Sequence, residues 1–350
     1  MTRSLLSVSE ARAAVLDATT VLDAEEVPVA ACAGRVLAED VVAAADVPGF
    51  ANSAMDGYAV IAGPAGRALR IVGEARAGAP AGRPVGPGEA IRISTGAALP
   101  EGANAVVPVE RTEERDGTVI VGIATEPGRH VREPGEDLRA GEAVLRAGTV
   151  IGAGEAGILV AAGRGAVRCA RRPRVTVVCT GSELVAPGEP LGPGQIHNSN
   201  AVTLTALAAE AGAVAVAAAP VADDLAATVA ALGDGLRTSD LLVISGGVSV
   251  GEHDHVKRAL AELSVEERFW GIALKPGKPA WFGVARPERS GAGGLVLGLP
   301  GNPVSAMVTF TLFARPALQA MQGAPPLPRR ELAEAAGPLP RVGGREQAVR

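Results

Sequence analysis

The chain is poor in aromatic side chains, poorer in lysine and almost without cysteine. Five Phe, two Trp and one Tyr are all the aromatics among 350 residues, so the core must be built from Ala, Val and Leu. Cys32, Cys169 and Cys179 are odd in number, and their spacing fits neither a disulfide framework nor a zinc site. They read as buried thiols of a reducing compartment, and the expected location is cytoplasmic. No apolar run approaches the roughly 18 residues of a membrane helix. No long apolar stretch separates Met1 from Glu10 and Arg12, so no signal peptide is expected. A net charge of −5 argues against nucleic acid or an anionic membrane as the main partner, while leaving room for a local anion pocket.

The scarcity of lysine is the most informative of these absences. Of the chain's lysines, Lys275 and Lys278 share one turn, Lys275-Pro276-Gly277-Lys278-Pro279, and Lys257 stands apart. Every other cationic side chain, the histidines aside, is Arg. A compact ammonium is not interchangeable with a planar guanidinium, so the turn reads as a place that needs point charges. Phe269-Trp270 and Trp281-Phe282 flank it. The plainer alternative is a hairpin that carries lysine by chance, with the aromatics in the core.

The remaining composition, 47% hydrophobic and 20% charged, belongs to a globular chain with ample core. At roughly 100–200 residues per domain, the length predicts several domains. Ser7-Val8-Ser9-Glu10 forms a capping box, with Ala11, Ala14, Val15 and Ala18 at helical spacing behind it. Short β-like runs at 69–72, 90–94, 105–109 and 118–121 alternate with Gly/Pro turns and predict a small β domain over 46–140. Residues 1–45 and 141–170 are assigned to a helical and linking domain. From 171 to 322, strands at 175–179, 214–218, 241–244 and 295–299 alternate with helices at 201–210, 225–232, 255–263 and 304–321. That alternation predicts a mostly parallel sheet with helices on both faces. The expected fold class is therefore α/β plus β, in a multidomain chain. Residues 323–350 are left over as a tail or the beginning of something longer.

Three strand ends in the α/β region share one design. They are Thr180-Gly181-Ser182-Glu183, Ser245-Gly246-Gly247-Val248-Ser249-Val250-Gly251, and Pro300-Gly301-Asn302-Pro303-Val304-Ser305. Ligands of open α/β sheets bind at the carboxyl ends of strands, and Gly and Ser there let backbone amides approach an oxyanion. Helix caps and tight turns are the alternative reading. Carboxylates gather nearby: Glu183, Asp223-Asp224, Glu252 and Asp254. Asp223 and Asp254 could each cap a helix. Their functional reading is Mg²⁺, which binds through one or two carboxylates and substrate phosphates.

The β region has its own oddity. Phe50-Ala51-Asn52-Ser53-Ala54-Met55-Asp56-Gly57-Tyr58 collects residue types the chain otherwise avoids. A second glycine turn, Ser94-Thr95-Gly96, lies further on, and Glu133-Pro134-Gly135-Glu136-Asp137 adds carboxylates. Gly152-Ala153-Gly154-Glu155-Ala156-Gly157 matches GxGxxG, but no acidic residue follows between Ala156 and Ser182. A nicotinamide site is therefore rejected.

Taken together, these stretches resemble the MoeA family, the molybdopterin molybdenumtransferases, which are related to the C-terminal domain of gephyrin. The resemblance spans about residues 5–322. It implies an elongated homodimer with a MogA/MoaB-like molybdopterin-binding α/β domain facing the partner's β domain. It also implies an enzyme that takes adenylylated molybdopterin and molybdate, requires Mg²⁺ and releases AMP. Carried over by motif, Asp56, Thr95, Glu183, Asp223 and Asp254 are the candidate catalytic residues. Asp223, Asp254 and Glu183 are the candidate Mg²⁺ ligands. Thr180, Gly181, Ser182, Ser245, Gly246, Gly247, Ser249, Gly251, Pro300, Gly301, Asn302, Pro303 and Ser305 would line the pterin-phosphate site. Lys275 and Lys278 would hold the anion, and Asp56 and Thr95 would act across the dimer. The adenylylating protein and molybdoenzymes are the implied transient partners. Two departures stand out. Gly271 occupies a position where family members often carry a basic residue, and residues 323–350 match only the start of a C-terminal β domain. Two other functions remain open at this point: adenylylation of molybdopterin, and a gephyrin-like scaffold without chemistry.

Overall fold

The computed structural model describes residues 5–247, 255–286 and 294–328, together with Glu334, Gly337 and residues 345–348. Helix α1 (Val8–Asp17) starts where the capping box places it. Ser7 Oγ accepts from the Glu10 N–H at 3.1 Å, and Glu10 Oε2 accepts from the Ser7 N–H at 2.8 Å. Each side chain thus satisfies a donor that the helix start would leave unpaired. The buried stripe Val8, Ala11 and Val15 packs into the core of the α/β region. Residues 1–45 are therefore not one packing unit. The following segment, Ala24–Pro28, pairs antiparallel with Ala166–Ala170 instead.

The β region is a six-stranded sheet. Its strands are β1 (Gly57–Val60), β2 (Arg67–Ala75), β3 (Glu89–Ile93), β4 (Ala105–Pro108), β5 (Thr112–Arg115) and β6 (Thr118–Val121), in the order β4-β1-β3-β2-β6-β5. Side chains alternate between two small cores: Tyr58 and Val60 face one, Ala59 the other. The periodicity does not reveal β1, because it begins inside the unusual Phe50–Tyr58 stretch. Gly57 is required in β1. A Cβ there would stand 2.0 Å from the Val107 carbonyl oxygen of β4.

Helix α2 (Ala153–Ala161) closes a further cluster with Cys32, Leu37, Ile151 and Cys169. The GxGxxG match is its first turn. Glu155 Oε2 accepts from the Gly152 N–H at 2.9 Å, which is capping chemistry and not a dinucleotide cradle.

The α/β region contains β7 (Arg174–Cys179), α3 (Ser199–Glu210), β8 (Val214–Ala217), α4 (Leu225–Thr238), β9 (Leu241–Ser245), α5 (His255–Glu262), β10 (Glu266–Trp270), β11 (Trp281–Ala285) and β12 (Gly294–Leu299). They form one sheet in the order β8-β7-β9-β12-β11-β10. The first four strands in that order run parallel; β11 is antiparallel to both its neighbours, so β10 again points the way of the first four. The reason is the connection. The segment from Gly271 to Ala280 holds the lysine turn and no helix, and only a crossover would return the chain in parallel. Val175, Val177, Val243 and Phe282 face α1 and α3, while Val178, Ile244, Val296 and Trp281 face α4 and α5. The two-residue period thus sends neighbouring aromatics to opposite faces. Phe269 and Phe282 meet with centroids 5.6 Å apart, and Trp281 Nε1 donates to Glu267 Oε2 at 2.8 Å. These aromatics are core, as the plainer alternative had it.

The helix expected at 304–321 is interrupted. It runs as α6 (Pro303–Thr309), a π turn over Phe310–Ala314, and α7 (Arg315–Met321). Pro316 has no N–H to donate, and its ring crowds the preceding turn; the wider π turn absorbs both effects. Among the described residues of 323–350, Glu346–Gln347 runs parallel to Leu274–Lys275. No helix among the described residues is long and apolar enough to cross a membrane.

Candidate active site

Three strand ends meet at the carboxyl edge of the parallel strands. After β7, the Thr180 N–H donates to Ser245 O at 3.1 Å, and the Gly181 N–H donates to Val221 O at 3.0 Å. After β9, the Gly246 N–H donates to Leu299 O at 3.2 Å. Each loop is thereby tied to its neighbour. Gly246 has φ +92°, and a Cβ there would lie 2.6 Å from the Thr180 carbonyl oxygen. Only glycine combines the left-handed backbone with that close approach.

The carboxylates divide their roles. Asp224, not Asp223, caps α4: its side chain accepts from the Ala227 N–H at 2.8 Å. Asp223 is pinned to the β7 loop by a reciprocal pair. Its Oδ2 accepts from the Ser182 N–H at 3.2 Å, and its own N–H donates to Ser182 Oγ at 3.1 Å. The capping alternative thus falls to its neighbour and leaves Asp223 facing the loops.

A cavity of about 290 Å³ opens among these loops. Thr180, Gly181, Glu183 and Asp223 line it from one side, and Ser245, Gly246 and Gly247 from another. Gly301 and Pro303 complete the predicted part of the wall. Ser182, Pro300, Asn302 and Ser305 do not line it. Ser182 holds Asp223, Pro300 O accepts from Ser245 Oγ at 3.3 Å, and Asn302 caps α6. Ser305 is buried within α6 and its carbonyl accepts from Thr309 Oγ1. Ser249, Gly251 and Asp254 lie outside the described residues.

The wall also contains residues that motif reading passed over: Cys179, Leu184 and the run Ile196-His197-Asn198-Ser199-Asn200. A visible signal existed. This run is polar, holds a His and two Asn in an asparagine-poor chain, and leads into the first turn of α3. His197 Nε2 lies 3.0 Å from Glu189 O, so that nitrogen carries the proton. Asn198 caps α3 through the Ala201 N–H at 3.1 Å. Burial pushes the Cys179 thiol up to about 11, although Asn198 pulls the other way. Cys179 therefore contributes packing and no nucleophile.

Lys275 and Lys278 are exposed and do not line the cavity. They do stand at the same edge of the sheet. Trp281 is paired with Gly298, so the turn before β11 lies beside the carboxyl end of β12. Lys257 is accounted for separately, with its Nζ 4.8 Å from the Trp270 ring centroid. Gly271 has φ +83°, a left-handed backbone that favours glycine, and a Cβ there would stand 2.9 Å from Leu5 Cδ2.

Asp56 and Thr95 form a second centre in the β region. The Thr95 N–H donates to Asp56 Oδ1 at 2.8 Å. Asp56, Tyr58, Glu74 and Arg92 line a separate pocket of about 290 Å³, which shares no residue with the first. Tyr58 OH donates to Glu114 Oε2 at 2.5 Å, and Arg92 donates to the same carboxylate. Burial raises the Tyr58 hydroxyl pKa, and the Glu114 contact adds to it. Glu114 is held low by the hydrogen bonds from Tyr58 and Arg92.

Among the described residues no group of three or more His, Cys, Asp or Glu side chains could hold a metal ion. Glu183 and Asp223 at one cavity nevertheless suit Mg²⁺, which takes few protein ligands when phosphate oxygens and water supply the rest.

A glycine-lined cradle at the carboxyl edge of a mainly parallel sheet, with a β region carrying its own carboxylate centre, defines a multidomain α/β protein that binds an oxyanionic ligand at its strand ends. Residues 6–163 match the family model described as the MoeA N-terminal region (domain I and II), and residues 176–320 match that of a probable molybdopterin binding domain. The molybdopterin molybdenumtransferase 2 of Mycobacterium tuberculosis (strain ATCC 25618 / H37Rv) is 41% identical over 314 residues, covering 85% of this chain and 75% of that protein. The molybdopterin molybdenumtransferase of Haemophilus influenzae is 38% identical over 294 residues, covering 83% and 71%. The crystal structure of the MoeA molybdopterin biosynthesis protein of Pyrococcus horikoshii superposes with a TM-score of 0.76 at 33% identity, over 91% of this chain and 81% of that one. The chain belongs to the MoeA family of molybdopterin molybdenumtransferases.

Proposed function

We propose that this protein inserts molybdate into adenylylated molybdopterin, releasing AMP and forming the molybdenum cofactor. The observation that carries the reading is the cavity at the ends of β7, β9 and β12, with Asp223 pinned by Ser182 and Glu183 beside it. Its described wall holds two carboxylates and no Lys or Arg. Phosphate groups brought there need a cation, and this favours Mg²⁺ held by Glu183 and Asp223. Bound Mg²⁺ supplies charge neutralisation for the phosphoanhydride. The chain's own residues do the rest. Gly246 and Gly247 keep the wall free of side chains so that backbone can approach the ligand. The Ser182–Asp223 pair fixes the direction of the carboxylate. Lys275 and Lys278, at the same sheet edge, suit a dianion such as molybdate. Positioning and electrostatics of this kind account for most of the catalysis expected in phosphoryl chemistry.

The Asp56–Thr95 pocket shares no lining residue with the cavity, which supports a homodimer in which each chain's β region completes the partner's site. The reading places the protein in the cytoplasm, with the adenylylating protein upstream and molybdoenzymes downstream as transient partners. The β region also favours it over adenylylation, since adenylylating proteins have only the α/β domain. The test is AMP release from adenylylated molybdopterin with Mg²⁺, with and without molybdate, followed by reconstitution of a cofactor-free molybdoenzyme. Molybdate-dependent release with recovered enzyme activity is the expected result. A folded protein that binds the substrate but releases no AMP would indicate a scaffold, and pyrophosphate-dependent formation of ATP and molybdopterin from the adenylylated substrate an adenylyltransferase.

A further inference from the structure

Asn200 stands at the second position of α3, is 8% exposed, and lines the cavity. Its Nδ2 donates twice, to Ser245 Oγ at 2.8 Å and to Gly301 O at 2.8 Å. Ser245 Oγ in turn donates to Pro300 O at 3.3 Å. One amide nitrogen thus joins the loop after β9 to the loop after β12 from a third element. An amide NH₂ is suited to this task, because it offers two donors on one atom in a planar, fixed arrangement. Hydroxyl side chains offer a single donor, and carboxylates offer none when ionised.

We propose that Asn200 is a positioning residue: it sets the separation of the Ser245–Gly247 and Pro300–Gly301 loops to the width that the pterin-phosphate substrate requires. The proposal rests on the reading of the cavity as that substrate's site. Asn200 acts through Ser245 and Gly301. Without its two donors, Gly301 O has no partner from α3, and Ser245 is free to turn. The loops then lose their spacing while the sheet beneath them, held by its own ladder, stays intact.

The chain contains a built-in control. Gln322 is another buried amide, 2% exposed, whose Nε2 also donates twice, to Ala211 O at 2.9 Å and Leu318 O at 2.8 Å. It does not line the cavity. The experiment compares the full-length chain with Asn200→Ala, Asn200→Asp and Gln322→Ala. Dissociation constants for adenylylated molybdopterin are measured without molybdate, alongside Tm and the KM for AMP release. Asn200→Asp keeps the volume and removes both donors, so it remains informative if Asn200→Ala fails to fold. The expected result is a weakening of about tenfold or more for both Asn200 variants, with KM rising in parallel, as for loss of two hydrogen bonds, one buried and one part-buried, at a ligand site. Gln322→Ala should lower Tm to a similar extent and leave affinity within about twofold, since its site is remote. Wild-type affinity in Asn200→Asp, or equal weakening in Gln322→Ala, overturns the proposal. A wild-type chain that binds no adenylylated molybdopterin overturns the underlying reading of the cavity, and the positioning role with it.

Discussion

The two carboxylate centres of this molecule are built in opposite ways. The α/β cavity is made mainly of backbone: strand ends, glycines with left-handed dihedrals, and loops tied to one another through N–H and C=O groups. The β-region pocket is made mainly of side chains, with Tyr58, Arg92 and Glu114 holding one another beside Asp56. A backbone-built site is set by the fold and tolerates almost no added Cβ. A side-chain-built site can lose a member and keep its frame. The two centres should therefore respond differently to single substitutions.

The largest effect should come from Gly246→Ala. The left-handed φ alone costs a non-glycine residue about 1–2 kcal/mol. The contact of its Cβ with the Thr180 carbonyl, at 2.6 Å, adds to that and pushes two cavity loops apart. AMP release should fall to background, and urea unfolding should show a lowered midpoint. Wild-type activity in this variant would break the comparison.

Next comes complementation between the centres. Asp56→Ala and Asp223→Ala should each be nearly inactive as homodimers. Mixing them under conditions of subunit exchange should recover about a quarter to a half of the activity if the sites are shared between chains, by the statistics of assembling one intact site per heterodimer. No recovery from proven heterodimers would place both centres' action within one chain.

A smaller effect is expected at the connector between the regions. Arg171 Nη1 and Nη2 donate to the Asp240 carboxylate at 2.8 and 2.7 Å. Burial alone would raise the Asp240 carboxyl, but Arg171 and the Arg174 N–H outweigh it and hold it low. A carboxylate held low in the folded state contributes stability that is present above its unfolded pKa, about 3.9. That stability is lost as pH falls through the lower, folded value. Urea midpoints measured from pH 6 down to pH 3 should fall less steeply for Asp240→Asn than for the wild type, from a lower starting point.

Tyr58→Phe should do less still. It removes one donor from Glu114 while Arg92 stays, so only a slight drop in the urea midpoint is expected. A large drop would show that this side-chain cluster cannot lose a member and keep its frame.

Much of this was legible beforehand, and the failures have physical causes. The loops after β7, β9 and β12 could be read because glycine and serine after a β-run are the chemical trace of a strand-end cradle. Asp223, named as a candidate, stands in the cavity wall, while its neighbour takes the capping role that sequence alone could not apportion between adjacent aspartates. Asn200 and His197 were passed over because one Asn before a helix reads as a cap; Asn198 does that work, and only the fold carries Asn200 to Ser245. The lysine turn was singled out as unusual, yet its side chains stand at the sheet edge, exposed and outside the cavity wall. Its neighbouring aromatics belong to the core, because strand alternation buries them whatever the turn does. The reversed strand β11 and the π turn before Pro316 follow from local chemistry, a missing crossover helix and a missing N–H. Neither breaks the apolar pattern from which the elements were predicted.

The most direct test of the central claim is single-turnover AMP release by Asp223→Asn, at saturating molybdate and Mg²⁺, against the wild type. Asparagine can still accept from the Ser182 N–H, so the loop should hold its shape while the charge is lost. The account predicts molybdate-dependent release by the wild type and a slowing of about a hundredfold or more in the folded variant, the scale expected for a lost charged group at a phosphoryl site. A variant that releases AMP at the wild-type rate would contradict it, and the chemistry would then have to be sought away from this cavity.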